Sequence, residues 1–431
     1  MFPRPKLAND AVFVGIFSVM KILVAHNFYK MSGGEDQCVA AEVAMLRAYG
    51  HEVTQYCMLN ESIDSMSRLE LASRTIWSRP AFRELRQLFR AHRPQIAHFH
   101  NTLPLISPAG YYAARAENVR VVQTLHNFRL LCANALLFRN GEVCDDCLGK
   151  SIPWPGIVHK CYRNSRAAST AITTMLTTHR LLGTWRKAVH VYIALSEFAR
   201  RKLVEGGLPA DRIVVKPNFV YPDPGPGAGT GGHAVFVGRL SAEKGVGTLL
   251  EAWRHLGGSL PLKIIGDGPM SAIVQEAAAN DASIEWLGNL PLEAVYRLIG
   301  EAAFLVLPSQ CYENFPRVIT EAFAKGTPVI VPKLGSMAGL VDDNRTGLHF
   351  KPGDHVDLAV KVHRLLAEPS QLPPMRQAAR QEFNDHFTAD SNHKILMAIY
   401  ERALCGPPKV ERGASEPGIV ATTASLIETD L

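Results

Sequence analysis

Two glutamates eight positions apart, Glu313 and Glu321, flank the point where a loop gives way to a helix. Upstream, Phe304-Leu305-Val306-Leu307 is a short apolar run that predicts a buried strand, and Pro308 closes it. Downstream, Pro316 sits where a first helical residue belongs, since its missing N–H would have no partner there. Val318, Ile319, Ala322 and Phe323 then recur at helical spacing, and Gly326 ends the helix. A loop at the carboxyl end of a strand that feeds a helix amino terminus is an anion site. Carboxylates beside an anion need other work, and hydroxyls give it to them. Amide N–H groups for phosphate plus carboxylates for hydroxyls suit a sugar nucleotide. The plainer alternative is that both glutamates only favour the amino-terminal half of a helix.

A second cluster follows the run Ala234-Val235-Phe236-Val237, in Gly238-Arg239-Leu240-Ser241-Ala242-Glu243-Lys244-Gly245. Gly238 permits a tight turn. Arg239 leaves the strand at its carboxyl end and offers a fork to phosphate oxygens. Lys244 falls in the first turn of a helix expected over 241–256 with Ser241 as its N-cap, where the dipole disfavours a cation. A bound anion would justify that placement; two solvated surface cations are the alternative. Near the amino terminus Gly33-Gly34 precede a helix, which suits close approach of backbone to a ligand. The spacing is not G-x-G-x-x-G, so a dinucleotide fingerprint is absent. His126 follows the run 119–124 in Leu125-His126-Asn127-Phe128-Arg129, a position open to catalysis, although a lone histidine is more often structural.

These residues need rigid elements to hold them. Strands are expected at 21–25, 51–57, 95–100, 119–124, 189–194 and 212–215, alternating with helices near 35–48, 81–92, 108–116, 167–183 and 197–205. That rhythm predicts βαβ units and a parallel sheet. Pro217 and the run from Tyr221 to Gly232, rich in Pro and Gly, mark a linker. The rhythm restarts with strands at 234–237, 262–265, 284–287, 304–307 and 328–331 and helices near 270–279, 292–300, 317–325, 355–367, 374–386 and 391–404. The fold class is therefore α/β, with two doubly wound parallel-sheet domains facing across a cleft. The expected division is 1–19 as an upstream extension with Met20 as the start, 20–217 as the first domain, 218–232 as linker and 233–386 as the second domain, with 387–404 crossing back onto the first. A disordered tail is expected over 406–431.

Bulk properties narrow the class. At 431 residues the chain exceeds one ordinary core. No run approaches 18 apolar residues, so no membrane-spanning helix is expected. The apolar stretch from Ala11 to Val24 lacks a small-residue cleavage site and so is not taken as a signal peptide. Residues 1–217 hold 28 Lys and Arg against 16 Asp and Glu, or +12, and the remainder 18 against 24, or −6. A basic first half fits an anionic membrane surface or a phosphorylated lipid, or merely a soluble basic face. Nucleic acid fits poorly, because no aromatic interleaving accompanies the charge.

Taken together, Arg239 and Lys244, Gly266-Asp267-Gly268-Pro269, the Glu313/Glu321 pair and Gly326-Thr327-Pro328-Val329-Ile330 resemble glycosyltransferase family 4, retaining sugar-nucleotide transferases of the GT-B fold. The likeness covers nearly all of 20–404 and is most specific over 233–353. It implies that Arg239 and Lys244 neutralise a donor diphosphate and that Glu313 meets hydroxyls of the donor sugar. Glu321 is similar to the glutamate that binds the ribose hydroxyls. It further implies that amides around Asn314, Phe315 and Pro316 lie against sugar and phosphate, with Asn314 standing where many members have Gly. His126 is similar to the histidine of the first domain near the sugar C6 and the acceptor, and Gly33-Gly34 and Gly238 to donor-side glycines. The resemblance implies attack on the face the diphosphate leaves, with a leaving phosphate oxygen taking the proton. No Asp-x-Asp occurs, so no catalytic divalent ion is expected and no cofactor is required for catalysis.

Eight cysteines are present, and Cys132, Cys144, Cys147 and Cys161 crowd one loop-rich insert with the spacing C-x11-C-x2-C-x13-C. That set permits a structural zinc, unpaired thiols or a redox centre. Its place beside His126 suggests acceptor selection. The expected function is a cytoplasmic transferase, peripheral on the inner face of the membrane. It would move a hexose from a nucleotide-diphosphate sugar to a glycan or polyprenyl-diphosphate-linked acceptor in cell-surface polysaccharide synthesis. An epimerase of the same fold and a non-catalytic glycan- or nucleotide-binding subunit are the alternatives.

Overall fold

A computed structural model describes residues 18–30 and 33–405. The expectations for the extension, apart from Ser18 and Val19, and for the tail from 406 lie outside the described residues.

The short apolar runs become strands, and the central ones bury both faces. In the first half they are β1 (Lys21–Phe28), β2 (Glu52–Leu59), β3 (Ile96–Phe99), β4 (Arg120–Leu125), a small hairpin of β5 (Phe138–Arg139) and β6 (Glu142–Val143), then β7 (Val191–Ala194) and β8 (Ile213–Val215). Every residue of β3 and β7 is buried. Such strands need helices above and below, which is the condition for a parallel sheet. The six long-range strands pair in the order β2-β1-β3-β4-β7-β8, all parallel.

The second half repeats the plan with β9 (Ala234–Val237), β10 (Leu262–Ile265), β11 (Ile284–Gly288), β12 (Phe304–Val306), β13 (Val329–Pro332) and β14 (Gly347–Phe350). Their order is β11-β10-β9-β12-β13-β14, again all parallel. In doubly wound sheets, ligands collect where the strand order reverses, outside the carboxyl ends. Those points are β1/β3 in the first sheet and β9/β12 in the second.

The segment between the sheets is extended and pinned to the second. Gly227, Gly229 and Gly231 donate backbone N–H groups to the carbonyls of Lys325, Gly300 and Glu301 at 2.9, 2.9 and 2.8 Å. Helix Leu372–His386 then covers the second sheet, and helix Ala389–Cys405 returns to the first. Its Leu396, Met397, Ile399 and Tyr400 pack into one core with Ile22, Val24 and Val39.

Three local departures from the sequence reading are found, the first two of them at the site. The helix expected over 241–256 is a 3-10 turn, Ala242–Lys244, followed by helix Val246–Leu256. Gly245 separates them at φ +73, a left-handed conformation that Gly adopts without strain. Lys244 therefore does not lie in the first turn of that helix, and the dipole argument for it falls away. Pro316 is the N-cap, not the first helical residue, of helix Arg317–Ala324. Finally, helix Arg68–Ile76 was not anticipated, although Ser67-x-x-Glu70 is a start signal and Ser67 Oγ accepts from the Glu70 N–H.

Candidate active site

The second domain builds its half of the site from three loops packed backbone to backbone. Gly238 N–H donates to Ile265 O at 3.0 Å, Leu240 N–H to Asp267 O at 3.0 Å and Met270 N–H to Leu240 O at 2.9 Å. A Cβ on Gly268 would stand 2.4 Å from Leu240 O, so the Gly266-Asp267-Gly268-Pro269 turn needs glycine for close approach. At the other end a Cβ on Gly245 would lie 1.9 Å from Pro308 O. The loop after β9 is thus seated directly on the loop after β12, and Gln310 N–H donates to Glu243 O at 2.9 Å.

That seating brings Lys244 Nζ to 2.6 Å from Glu313 Oε1. Ser309 Oγ donates to the same oxygen at 2.7 Å. Burial pulls the Lys244 ammonium down, but the Glu313 carboxylate more than offsets it and the net shift is upward. Lys244 is therefore a fixed cation at neutral pH. Arg239, just past the end of β9, is exposed and makes no ion pair among the described residues.

Asn314, one residue on, ties the two domains together. Its Nδ2 donates to Leu125 O at 2.7 Å, at the end of β4, and its own carbonyl accepts from Ser196 Oγ at 3.1 Å. The rings of Tyr312 and Phe198 add an apolar contact across the same seam, with centroids 4.8 Å apart. Phe315 points away from the cleft into the second domain's core.

Glu321 lies apart from the Lys244–Glu313 pair in its bonding. It is buried, and its Oε1 is 3.0 Å from Arg317 Nε, one helical turn back. Burial raises its pKa, and the guanidinium only partly counters that. Arg317 was not singled out from sequence, although the i,i+4 spacing to Glu321 was there to be seen. Across the cleft stands Cys38 in helix Gly34–Ala48, whose thiol feels both charges. Gly33 is the N-cap of that helix and receives the Asp36 carboxylate on its N–H at 3.2 Å. Neither Gly33 nor Gly34 has any atom within 4 Å of a would-be Cβ, so nothing in the chain itself demands glycine there.

His126 emerges at the end of β4, next to Leu125, and its Nε2 is 2.9 Å from His100 Nδ1. Behind it lies a buried polar cluster that sequence reasoning missed. Glu42 Oε1 is 3.0 Å from His98 Nδ1 and 3.3 Å from His100 Nε2, and Glu42 Oε2 is 3.0 Å from Lys216 Nζ. The strand reading of 95–100 gave these histidines no role, yet His98 and His100 share one face at period 2. Among the described residues only Glu42, His98 and His100 bring three ligand atoms within 4.8 Å of one another. The Lys216 ammonium already supplies that carboxylate with its cation.

The four insert cysteines are free thiols. Burial, then Cys132 and the other insert thiols among further neighbours, pushes Cys147 up to about 11. Their sulfurs fit zinc by type but are not drawn together as tightly as the Glu42 group.

Two family models match this chain, "Glycosyltransferase Family 4" over residues 32–223 and "Glycosyl transferases group 1" over 228–382. The chain belongs to glycosyltransferase family 4. Among curated relatives, a 2-deoxystreptamine glucosyltransferase of Streptomyces kanamyceticus is 30% identical over 203 residues, covering 46% of this chain and 51% of that protein. A glycogen synthase of Mycobacterium tuberculosis is 31% identical over 178 residues, covering 40% and 43%. The match thus spans about half the length of these relatives. Among solved structures, Anabaena HepE in complex with UDP-glucose aligns with TM-score 0.64 at 16% identity, over 89% of this chain and 100% of that one. A sucrose-phosphate synthase of Thermosynechococcus elongatus aligns with TM-score 0.64 at 15% identity, over 90% and 99%. Those likenesses establish the GT-B fold.

Substituting Gly245 by Ala should unseat Lys244 from Glu313, because the new Cβ meets Pro308 O and the backbone must leave φ +73. The expected result is a stability loss of about 1–3 kcal/mol with β-sheet circular dichroism preserved. A melting temperature equal to wild type would show that the loop tolerates the change.

Proposed function

We propose that this transferase moves a hexose from a nucleoside-diphosphate sugar to a glycan or a polyprenyl-diphosphate-linked glycan, with retention and without a catalytic divalent ion. The observation that carries the reading is Lys244 held 2.6 Å from Glu313 at the carboxyl end of the second sheet. Breaking an anomeric bond to diphosphate builds negative charge on the leaving group. A cation already fixed in place stabilises that charge with little reorganisation. Arg239, exposed and without an ion pair among the described residues, is free to add a fork to the same oxygens. Glu313 keeps carboxylate capacity for sugar hydroxyls beside Lys244. The Anabaena relative solved with UDP-glucose supports a sugar-nucleotide donor. The missing Asp-x-Asp supports chemistry led by side chains and helix amides.

Retention follows in this reading from attack on the face the diphosphate leaves. The acceptor hydroxyl forms the new C–O bond as the old one breaks. Its proton passes to the departing phosphate oxygen, so the chain need supply no separate base.

UDP, GDP and ADP, each tested as a stabiliser, should separate cleanly: one of them should raise the melting temperature by several degrees at 1 mM, and none doing so would overturn the reading. With that nucleotide's sugar, Lys244→Ala should lower turnover by roughly 100-fold with little change in affinity. Glu321→Gln should weaken nucleotide affinity instead; Gln is preferred to Ala because Ala would leave Arg317 buried without its partner. Unchanged kinetics in both variants would contradict these roles.

The membrane part of the proposal rests on an amphipathic surface of the first domain. Ile152, Trp154, Val158 and Leu181 are each more than half exposed. Lys150, Lys160, Arg163 and Arg166 are exposed around them. Arg180 ties the strand of chain at Ser151 to the end of Leu181's helix. Apolar side chains rimmed by cations suit an anionic bilayer on the cytoplasmic face. No helix among the described residues is long and apolar enough to cross one. Flotation with anionic vesicles should carry the protein at low salt, and Trp154→Ser should weaken it; no co-flotation at any salt concentration would remove the membrane from the proposal.

The insert's four thiols suit a structural zinc by donor type. Elemental analysis should return about one zinc per chain. A metal-free protein whose four thiols all react with a thiol reagent would exclude it.

A further inference from the structure

His126 follows β4 directly, one of its ring nitrogens is taken up by His100, and the form of the other can be worked out from the groups behind it. Glu42 is 3% exposed and has no water to neutralise it. Burial alone would raise its pKa, but Lys216, His98 and His100 together hold it well below the usual carboxylate range. It is an ionised acceptor. His100 Nε2 lies 3.3 Å from Glu42 Oε1, a contact short of well-formed hydrogen-bond geometry, and that nitrogen has no other partner among the described residues; the same oxygen also has His98 Nδ1 at 3.0 Å. Two lone pairs facing each other there would repel, so His100 carries its proton on Nε2. Burial first, then the neighbouring imidazole of His98, pushes His100 down to about 3, which keeps it neutral. Its Nδ1 is then bare. His126 Nε2, 2.9 Å away, must donate to it. Burial, aided by His100 and His26, holds His126 neutral as well. Its remaining nitrogen, Nδ1, therefore has no proton, and it makes no hydrogen bond within the described residues.

A second, independent observation lies beside it. Asn314 Nδ2 is fixed by donation to Leu125 O, the residue before His126. That leaves Asn314 Oδ1 as an acceptor, and it is buried with no partner. Two unfilled acceptors flank the end of β4.

We propose that Glu42 and His100 are positioning residues that lock His126 into the Nε2–H tautomer, so that the cleft meets its ligand here with acceptors only. The group this corner takes is one that brings a proton, a sugar or acceptor hydroxyl, and an oxyanion is refused. Lys216 is part of the device, because its ammonium on Glu42 Oε2 keeps the carboxylate charged. The tautomer follows from the chain alone; that the hydroxyl belongs to a sugar rests on the transferase reading above.

The groups facing His126 are His100, His26, Glu42 and Lys216. Selective 15N-histidine labelling of the full chain reads the outcome directly, with His126→Gln to assign the signals. The expected pattern is a protonated Nε2 and a bare Nδ1 at pH 7.5, unchanged on titration to pH 6. A proton on Nδ1, or an imidazolium forming near pH 6.5, would overturn the proposal. Glu42→Gln should mix or reverse the tautomers and lower turnover at least tenfold while nucleoside-diphosphate affinity stays at the wild-type value. An unchanged tautomer in that variant would remove Glu42 from the role. If Glu42→Gln fails to fold, the wild-type spectrum still decides. Absence of any nucleotide binding would sink the transferase reading instead, and the tautomer would stand or fall by its own signals.

Discussion

Glu42 is a carboxylate that water cannot reach, and much of the first domain is arranged to keep it charged. An isolated ion in such a place would cost several kcal/mol, so each oxygen must be met by a donor or a cation. Lys216 meets one, and His98 of β3 and His100 just beyond it lie against the other. Those partners are held in turn by the helix that comes back from the second domain. Asn392 of that helix accepts from Lys216 Nζ at 2.9 Å and donates to Pro217 O at 2.7 Å. Tyr400 of the same helix places its hydroxyl 2.8 Å from His98 Nδ1. The last helix therefore does more than cover apolar surface. It closes a polar network whose far end, through His100, is His126 in the cleft.

The second domain is organised by a different constraint, the close approach of backbone to backbone. Gly245 against Pro308 and Gly268 against Leu240 let three loops share one layer at the carboxyl edge of the sheet. Side-chain charge then follows from backbone placement: Lys244 reaches Glu313 because Gly245 has no side chain to hold the loops apart. The two constraints meet at Asn314, whose amide spans the seam to Leu125. One residue thus couples the loop carrying Glu313 to the strand carrying His126.

The parallel-sheet architecture was legible in the sequence because its central strands are buried on both faces and appear as short, largely apolar runs such as Val191–Ala194. Lys244 and Glu313 were each singled out in advance, though not as a pair, and the reason given for Lys244 failed, since a left-handed glycine interrupts the helix that was supposed to hold it. Glu321 proved to have a buried partner, Arg317, that the spacing offered and the reading passed over. The Glu42 network was illegible for a deeper reason. Its members come from positions 42, 98, 100, 126 and 216, and only the order of strands in the sheet brings them together. No periodicity in one segment could reveal that.

The charge arrangement at the cleft carries a further consequence for how a diphosphate would be held. Lys244 is already engaged by Glu313, so the site does not present a bare ammonium to the solvent. A bare cation would bind free phosphate strongly and release a diphosphate slowly. A cation shared with a carboxylate attracts a ground-state ligand less, and gains most when the ligand's charge grows, as it does when the anomeric bond opens. Ser309 on the same Glu313 oxygen fixes the carboxylate's position, so the pair need not reorganise to respond. On the proposed reading, such a preformed pair would direct its stabilisation towards the charge of bond breaking in preference to the charge of mere binding. On the proposed transferase reading, Arg239, exposed and unpaired by any carboxylate among the described residues, would do the ground-state gripping that Lys244 forgoes.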